Sequence, residues 1–341
     1  MADTVKALAV KKAGAALEPF EYQLGALGAH EVDIDVTTCG VCHSDISMLD
    51  NEWGMSEFPL VPGHEASGTI KSVGEHVEHL KVGQTVGLGW FSHSCMHCHQ
   101  CMSGDHNMCS DTQGTIVGRH GGFANKVRCD AAWAIPIPEG VDAAKAGPLF
   151  CGGITVFNPI VQMGVQPTDR VGVIGIGGLG HLALQFLAAW GCEVTAFTSS
   201  ADEKADEAKR LGAHRVVDST SDKALEDEAG RFDFIVSTVN VGLNWQAYIN
   251  ALGPRGRLHY VGAVMDPVEF GVFDLLMGQK SLSASPLGSP ATIEDMLAFC
   301  ARHGIAPMTE SFKMSDANDA IQHLRDGKAR YRIVLENDLD S

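Results

Sequence analysis

The stretch VGVIGIGGLGHLALQFLAAWG at 171–191 constrains the fold of this chain more than any other segment. It begins with a short apolar run and continues with a spacing of apolar residues that predicts a helix ended by Gly191. Between the two, Gly175, Gly177 and Gly180 follow the pattern G-x-G-x-x-G. A strand that turns through glycines directly into a helix predicts the start of a β-α-β unit in a parallel sheet.

Further strand candidates follow at intervals that leave room for helices between them. They are the segments 193–199, 214–220, 233–239, 257–262 and 281–286. Six strands with crossovers predict a doubly wound parallel sheet, an α/β fold of the Rossmann type. Amphipathic helix patterns at 291–304 and 315–328 and a last strand at 331–336 predict a tail that returns to the first domain.

Up to about residue 150 the chain has a different texture, with short apolar runs that Gly and Pro interrupt. Short strands bounded by turn residues predict a β-rich, partly barrel-like domain. We therefore expect a β-rich domain over 1–152, a doubly wound domain over 153–286, and a C-terminal segment over 287–341.

The composition excludes several kinds of partner. There are 42 Asp and Glu against 25 Lys and Arg, a net charge of −17, so the surface should repel nucleic-acid phosphate and anionic membranes. The first residues lack the apolar core of a signal peptide, and no run of about 18 apolar residues predicts a membrane span. We expect a cytoplasmic protein, in which structural disulfides are rare and clustered cysteines more often hold metal.

The glycine turn predicts a dinucleotide site. Gly175 permits the tight turn, Gly177 lets the backbone approach a pyrophosphate, and Gly180 allows the helix to pack closely on the strand. The start of the helix, with Gly178 and Leu179, offers N–H groups and the positive end of the helix dipole to phosphate. A tight turn without a ligand is the alternative for the motif alone, and the strand before it and the helix after it argue against that.

The end of the second strand bears on the choice between NAD and NADP. A carboxylate normally stands there when the ribose 2′-hydroxyl is bound. The residues at this position are instead Thr198, Ser199 and Ser200. With Lys204 one turn into the next helix, hydroxyls and a cation suit a 2′-phosphate, which favours NADP(H). Asp202 and Glu203 follow closely, and the alternative that either turns back to a ribose stays open.

Four cysteines are crowded into a lobe at 92–112. They are Cys95, Cys98, Cys101 and Cys109. CxxC turns bring neighbouring sulfurs onto one tetrahedral ion. A bacterial ferredoxin run would place the fourth cysteine three residues on, followed by Pro, whereas here the gap is seven and Ser110 follows. The spacing predicts a closed structural zinc site, with His97, His99 and His106 as loop residues rather than ligands.

A second set of candidate ligands lies in GVCHSD at 40–45 and PGHEASG at 62–68. Cys42 and His64 are ligands of the kind that zinc prefers, and Glu65 is a carboxylate next to one of them. A lone Cys or His is more often a core residue. A zinc lobe and a dinucleotide fold in the same chain favour the metal site over the core interpretation.

These segments, together with LFCGGIT at 149–155 and YRIVL at 331–335, occur in an order that resembles the zinc-dependent medium-chain alcohol dehydrogenases over essentially the whole chain. The chain is most similar to the cinnamyl alcohol dehydrogenase-like, NADP(H)-dependent bacterial subgroup. The resemblance implies a GroES-like catalytic domain, two zinc ions per chain and a homodimer. It implies reversible hydride transfer between NADP(H) and a primary alcohol/aldehyde pair, aromatic such as cinnamyl or benzyl, or medium aliphatic.

The resemblance also implies roles for single residues. The catalytic zinc ligands would be Cys42, His64 and Cys151. Around them, Glu65 could approach the zinc, Asp45 would orient His64, and Ser44 would bond the substrate oxygen and begin proton transfer. Contacts to the cofactor would come from His43, Thr155 and Arg332, and the substrate pocket would be lined by Trp53 and Phe91. Ser47 departs from the family, which often has a proton-relaying histidine there, so the comparison implies a relay through cofactor ribose and water.

Two other functions stay open at this point. One is a zinc dehydrogenase that acts on a polyol or a glutathione adduct, where a polyol enzyme commonly prefers NAD. The other is a non-catalytic redox sensor or scaffold on the same fold, against which the complete ligand set argues. The remaining cysteines are interpreted as small buried hydrophobic residues: Cys39, Cys129, Cys192 and Cys300.

Overall fold

The structure of this protein is a computed structural model that describes residues 3–340. The chain forms two compact units, one of Met1–Ile154 with Gly288–Ser341 and one of Thr155–Leu287. Among the described residues, no helix has both the length and the apolar character needed to cross a membrane.

The N-terminal part of the first unit is rich in short strands. They are β1 (Asp3–Ala9), β2 (Glu18–Leu24), β3 (Glu31–Val41), β4 (Ala66–Val73), β5 (Thr85–Leu88), β6 (Phe91–His93), β7 (Gln113–Gly114), β8 (Lys126–Asp130) and β9 (Ile135–Pro136). Two short helices, α1 (His43–Leu49) and α2 (His99–Met102), lie between them. The pairs β1–β2 and β6–β7 form small antiparallel sheets of their own.

Helix α3 (Gly152–Gln162) leads into the second unit, in which strands and helices alternate. They are β10 (Arg170–Ile174), α4 (Gly180–Trp190), β11 (Glu193–Thr198), α5 (Ala201–Arg210), β12 (Arg215–Asp218), α6 (Asp222–Glu226), β13 (Phe232–Ser237), α7 (Trp245–Ala251), β14 (Leu252–Tyr260), α8 (Val272–Gly278) and β15 (Ser281–Ala284). The strand order is β12-β11-β10-β13-β14-β15, and every neighbouring pair is parallel. This is the doubly wound order, which reverses direction between β10 and β13, and it confirms the predicted Rossmann sheet.

The central strands of this sheet are apolar along their whole length because helices cover both faces. Val171, Val173 and Ile174 on β10 are at most 1% exposed, and Phe197 on β11 is fully buried. The short apolar runs of the sequence are therefore core strands.

The C-terminal segment 288–341 belongs to the first unit. Its elements are α9 (Pro290–His303), β16 (Thr309–Lys313), α10 (Ala317–Arg325) and β17 (Arg332–Glu336). Strand β17 pairs antiparallel with β3, with Ile333 opposite Val41, in a sheet ordered β16-β17-β3-β4-β5-β9 to which β8 is added through β3. This register brings the start of β17 to the end of β3, where Cys42 follows.

Helix α3 is an element that the sequence pattern did not predict. It begins with two glycines and contains Pro159, and both residue types usually mark breaks in a helix. Ile154, Phe157 and Ile160 on this helix are buried, so packing stabilises it despite its unfavourable composition.

Candidate active site

Four predicted ligands of the catalytic metal meet in one buried cluster. The ligand atoms of Cys42, His64, Glu65 and Cys151 all lie within 4.8 Å of one another. Cys42 Sγ is 3.9 Å and His64 Nε2 is 3.3 Å from Cys151 Sγ. Cys42 follows β3, His64 and Glu65 precede β4, and Cys151 precedes α3, so three separate segments supply the cluster.

Asp45 connects two of these segments. Its Oδ2 accepts a hydrogen bond of 3.0 Å from the backbone N–H of Cys42, at the start of α1. Its Oδ1 accepts a bond of 2.8 Å from the N–H of Gly63 and lies 2.9 Å from His64 Nδ1. The carboxylate is fully buried. Because it takes up Nδ1, the free ring nitrogen Nε2 faces the two thiols, as a metal-binding histidine requires.

The two thiols of the cluster are not a disulfide, and all ten cysteines are free. The hydrogen bond from Cys151, with further help from Arg332 and His64, holds the pKa of Cys42 well below its usual value. The same hydrogen bond and burial raise the pKa of Cys151 well above its usual value. The lowered pKa makes Cys42 the more readily ionised of the two thiols, and thiolate is the form of cysteine that binds metal.

Glu65 is a buried carboxylate whose two oxygens have different surroundings. One accepts a hydrogen bond from the guanidinium of Arg332, the first residue of β17. The other, Oε2, is buried and has no hydrogen-bond partner. Burial raises the pKa of Glu65 to about 7, although Arg332 opposes the shift. An unpartnered carboxylate oxygen beside two thiols and an imidazole fits a cation in this cluster.

Gly40 provides the space for this carboxylate. A Cβ atom at position 40 would collide with Oε2 of Glu65, and the backbone N–H of Gly40 donates to the carbonyl of Glu65 at 2.9 Å. Gly40, the first residue of GVCHSD, is therefore part of the site, although its role was not apparent from the sequence.

The four cysteines of the lobe form a second cluster, with their sulfurs within 4.8 Å of one another. Backbone N–H groups donate to these sulfurs. The N–H of Cys98 donates to Cys95 Sγ at 3.3 Å, and the N–H of Cys101 donates to Cys98 Sγ at 3.5 Å. Such bonds favour thiolate; those from the backbone of His97 and Cys98 lower the pKa of Cys95 to about 6. The arrangement suits a closed site with four sulfur ligands.

The three histidines of the lobe contact neighbours other than these sulfurs. His106 Nδ1 lies 3.0 Å from Ser94 Oγ, and His99 Nδ1 lies 3.4 Å from Ser103 Oγ. His97 Nδ1 lies against the carbonyl of Cys95.

The glycine turn has the conformation and the space that a bound pyrophosphate needs. Gly175 has φ +87°, which favours glycine, and a Cβ at Gly180 would collide with the carbonyl oxygen of Gly175. A Cβ at Gly177 would meet no atom within 4 Å, so the backbone there borders open space. Gly178 and Leu179 complete the turn, and Leu179 caps α4.

The hydroxyl run and the lysine lie at the end of β11 and the start of α5. Ser199 is exposed, and Thr198 Oγ1 accepts a hydrogen bond of 3.2 Å from the backbone N–H of Ser200. Lys204 extends back to the turn, where its ammonium donates to the carbonyl oxygen of Ile176 at 3.0 Å. Asp202 and Glu203 are exposed in the first turn of α5.

Two protein-family models match the chain. One, an alcohol dehydrogenase GroES-like domain, matches residues 28–139, and the other, a zinc-binding dehydrogenase, matches residues 178–302. An aldehyde reductase from Synechocystis is 56% identical over 333 residues, which are 98% of this chain and 99% of that protein. This chain belongs to the zinc-dependent medium-chain alcohol dehydrogenases. A cinnamyl alcohol dehydrogenase from Rauvolfia serpentina is 36% identical over 94% of this chain and 91% of its own.

Solved structures agree with the family and with the GroES-like and Rossmann folds. A cinnamyl alcohol dehydrogenase from Sorghum bicolor superposes with a TM-score of 0.93 at 33% identity, covering 98% of both chains. The enzyme from Helicobacter pylori, solved with NADP(H), gives a TM-score of 0.89 at 30% identity, covering 98% of this chain and 99% of its own. The predicted resemblance to the cinnamyl alcohol dehydrogenase-like enzymes is confirmed, and both donor sets of this dehydrogenase are compatible with zinc.

Other predicted residues of the dehydrogenase lie on helices α1 and α3 and at the start of β17. On α1, His43 is exposed, Ser44 is half-buried and Ser47 is buried. Thr155 is 8% exposed on α3. Arg332, predicted to contact the cofactor, is 4% exposed and paired with Glu65.

An aromatic residue that the sequence analysis missed lies against the metal cluster. The ring of Trp90 packs edge-on against His64, with 5.0 Å between centroids, and Trp53 packs against Trp90 at 5.9 Å. Phe91, predicted to line the substrate pocket, packs against Trp133, with 5.4 Å between the ring centroids. Trp90 and Phe91 are successive residues of an extended segment, so their side chains point to opposite sides. The sequence therefore offered two aromatic candidates at this place, of which the analysis named only Phe91.

Proposed function

We propose that this dehydrogenase uses NADP(H) and interconverts primary alcohols and aldehydes, aromatic such as cinnamyl or benzyl, or medium aliphatic. The proposal of NADP(H) rests on the residues at the end of β11. Ser199 and Ser200 occupy the position of the usual carboxylate, and Lys204 extends to the glycine turn. The names of the relatives, aldehyde reductase and cinnamyl alcohol dehydrogenase, support the substrate class.

The position of Lys204 supports a phosphate on the ribose. Its ammonium is held at the carbonyl of Ile176, inside the turn that would border the pyrophosphate. A cation in this place attracts phosphate, and the exposed hydroxyl of Ser199 can donate a hydrogen bond to it. Asp202 and Glu203 are exposed on the first turn of α5, where carboxylates are also stabilised by the helix dipole, so their presence does not require a ribose partner.

We infer that Cys42, His64 and Cys151 hold the catalytic zinc, with Glu65 able to approach it, and that the four lobe cysteines hold a structural zinc. The lowered pKa of the buried Cys42 thiol, the oriented Nε2 of His64 and the unpartnered Oε2 of Glu65 support the first site. When bound, the zinc polarises the substrate carbonyl as a Lewis acid and the nicotinamide supplies or accepts the hydride.

The residues of the chain have three tasks in this reaction. Asp45 keeps His64 in one orientation through Nδ1. Ser44, half-buried in the first turn of α1, passes a proton to or from the substrate oxygen, because a hydroxyl both donates and accepts. Ser47 lacks the ring nitrogen with which a histidine accepts a proton, so the ribose of a bound cofactor and water would have to carry the proton onward from Ser44.

Aromatic side chains exclude water from the reacting centre and receive the substrate. Trp90 covers His64, and Trp53 extends the same surface. Flat indole rings next to the metal cluster suit an aromatic or extended aliphatic substrate better than a polyhydroxylated one. We place Trp53 and Trp90 in the substrate pocket on this ground, while Phe91 supports the pocket from behind through Trp133.

Initial rates with a panel of aldehydes test the proposal. The panel should contain cinnamaldehyde, benzaldehyde and hexanal, each with NADPH and with NADH. We expect the highest kcat/KM with NADPH and the aromatic or medium aliphatic aldehydes. A preference for a polyol or a glutathione adduct with NAD would contradict the proposal and indicate a zinc dehydrogenase of another substrate class. No turnover with any pair, in protein that contains its zinc, would support a redox sensor instead.

We further propose a cytoplasmic homodimer. Helix α8 exposes Val272, Phe273, Leu276 and Met277, each at 62–72%, and it precedes β15 at the edge of the six-stranded sheet. An exposed apolar helix next to a sheet edge suits a second copy of the chain. The ten free cysteines support a reducing compartment. Light scattering of Phe273→Glu against wild type tests the dimer, since a charge in the interface should yield monomer.

A further inference from the structure

A group of histidines lies in the first unit outside both cysteine-containing clusters. It lines a cavity of about 510 Å³ next to the lobe. The titratable residues of this cavity are His30, His76, His79, His93, Cys95 and Asp130. None of the four histidines has a role in the proposed reaction, and their concentration around one cavity needs a separate explanation.

Two of these histidines face each other with ring nitrogens. His76 Nδ1 lies 3.4 Å from His30 Nε2, and the ring centroids are 5.0 Å apart at a tilt of 56°. A separation of 3.4 Å is at the long end for a hydrogen bond, since N–H···O bonds usually measure about 2.7–3.2 Å. Two nitrogens that share a tetrahedral ion at about 2.0–2.1 Å are separated by about 3.3–3.4 Å, because they form an edge of the tetrahedron. The observed distance therefore matches a pair of metal ligands.

The backbone holds the two histidines in this arrangement. The N–H of His76 donates to the carbonyl of Ala29 at 2.9 Å, and the N–H of Gly74 donates to the carbonyl of Glu31 at 2.8 Å. The carbonyl of His30 accepts a bond of 2.9 Å from Ala131. Each histidine thus lies on a segment that is fixed by bonds on both sides, and little entropy is lost when an ion joins the rings.

The charges around the pair favour a cation. Glu75 Oε1 lies 4.0 Å from the outer nitrogen of His76, Glu78 is two residues further along the same exposed segment, and Asp130 lines the cavity. His93 Nδ1 is bonded to Asp130, and His79 Nε2 lies 3.4 Å from the carbonyl oxygen of Ala131, so each of these rings directs one nitrogen at a protein oxygen. The pair that remains directed at a common point is His30 and His76.

We propose that His30 and His76 bind a divalent transition-metal ion of the kind that prefers imidazole, such as Zn²⁺, Ni²⁺ or Cu²⁺. Water completes the coordination, since the cavity has ample volume and the pair is exposed. This site is additional to the two cysteine-containing sites of the dehydrogenase. It shares a cavity with Cys95, so a zinc ion captured here lies beside the lobe.

Calorimetric titration with Ni²⁺ tests the site. The full-length enzyme, free of any histidine tag and with its zinc content measured before and after, should bind one additional Ni²⁺ per chain without losing zinc. His30→Ala and His76→Ala should each abolish this binding and leave the zinc content and turnover unchanged. His303→Ala, which removes an exposed histidine whose ring contacts Phe299 outside the cavity, is the matched control and should bind as wild type does.

Electron paramagnetic resonance of the enzyme with one equivalent of Cu²⁺ gives a second readout. Splitting from two imidazole nitrogens is expected in wild type and should be lost in both cavity variants. Wild type that binds no additional ion would show that the rings merely contact each other. Retention of the ion by both His30→Ala and His76→Ala, or its loss in His303→Ala, would equally overturn the assignment.

Discussion

Asp45 and His64 are joined by a contact of 2.9 Å between Oδ1 and Nδ1, and both side chains are fully buried. Burial by itself would lower the pKa of His64, but the carboxylate of Asp45 and the thiolate of Cys42 outweigh it and raise that pKa well above the usual value. The carboxylate of Asp45 thereby orients the imidazole of His64. It also accepts a hydrogen bond from the backbone N–H of Cys42, the residue that caps the start of helix α1.

Replacement of Asp45 tests this contact. Asp45→Asn keeps the shape but removes the charge that orients and polarises His64, so kcat/KM should fall about 10- to 100-fold, and so should affinity for the catalytic zinc. Steady-state kinetics and zinc release to a chelator measure the two effects. Asp50→Asn, at the other end of α1 and paired with Arg325 near the surface, is the control and should leave both unchanged. Equal losses in the two variants would contradict a specific role for Asp45.

The two cysteine-containing sites should respond differently to the loss of a ligand. Cys42→Ala should abolish turnover and leave thermal stability close to wild type, because it removes a ligand of the reacting centre. Cys98→Ser should instead lower the melting temperature, since a closed zinc site contributes folding free energy directly. Metal analysis should find two zinc ions per chain in wild type and one in each variant. Fully active enzyme with a single zinc ion would refute the assignment.

Gly40 should not tolerate a side chain. Gly40→Ala would drive a Cβ atom into Oε2 of Glu65 and displace the carboxylate, at a cost of about 1–3 kcal/mol in the free energy of unfolding. Turnover should also fall, because Glu65 belongs to the metal cluster and is held there by Arg332. Urea denaturation and kinetics measure both effects. Gly25→Ala, where the new Cβ meets nothing within 4 Å, is the matched control.

Cofactor preference should depend on Lys204 and Ser199. A charge-assisted hydrogen bond contributes about 1.5–3 kcal/mol, so Lys204→Ala should weaken NADPH binding by roughly ten- to a hundredfold. Ser199→Asp should repel a 2′-phosphate, offer an acceptor to a ribose diol and move preference toward NADH. Lys209→Ala, an exposed lysine on the same helix, is the control. A higher kcat/KM for NADH than for NADPH in the wild-type enzyme would contradict the proposal and indicate that Asp202 or Glu203 binds the ribose.

His259 should make the enzyme sensitive to acid. It is fully buried on β14, its two ring nitrogens contact Ser283 and Ser285 at 2.8 and 2.9 Å, and burial lowers its pKa from 6.5 to about 4. The unfolded chain therefore binds a proton below about pH 6.5 that the folded chain does not bind until about pH 4. Stability should fall by about 3 kcal/mol across this window and show no contribution from His259 above it.

Urea denaturation of wild type and His259→Gln at pH 7, 5.5 and 4.5 measures this effect. The variant should be less stable than wild type at pH 7, and the difference should shrink as the pH falls. A difference that stays constant would show that His259 does not titrate in this range.

Local features of the sequence predicted the parts of this protein whose structure depends on near neighbours. The boundaries of β10, the glycine turn and α4 follow from an apolar run, glycine conformation and helix periodicity within about 20 residues. Strand β14 was predicted to begin at 257 but begins at Leu252, because pairing with β13 through a register shift extends it across Gly253 and Pro254. The spacing of the lobe cysteines and the family segments also indicated both ligand sets, because metal sites restrict residue type strongly.

Only the tertiary structure determined which side chains meet across long stretches of the chain. The contact of Glu65 with Arg332 depends on the pairing of β17 with β3, and Trp90 rather than Phe91 faces His64 because of the direction of one extended segment. The juxtaposition of His30 with His76 likewise comes from backbone bonds between distant segments. Periodicity and composition report which residues are buried or reactive, whereas strand register and packing decide their partners, and these are set by the whole fold.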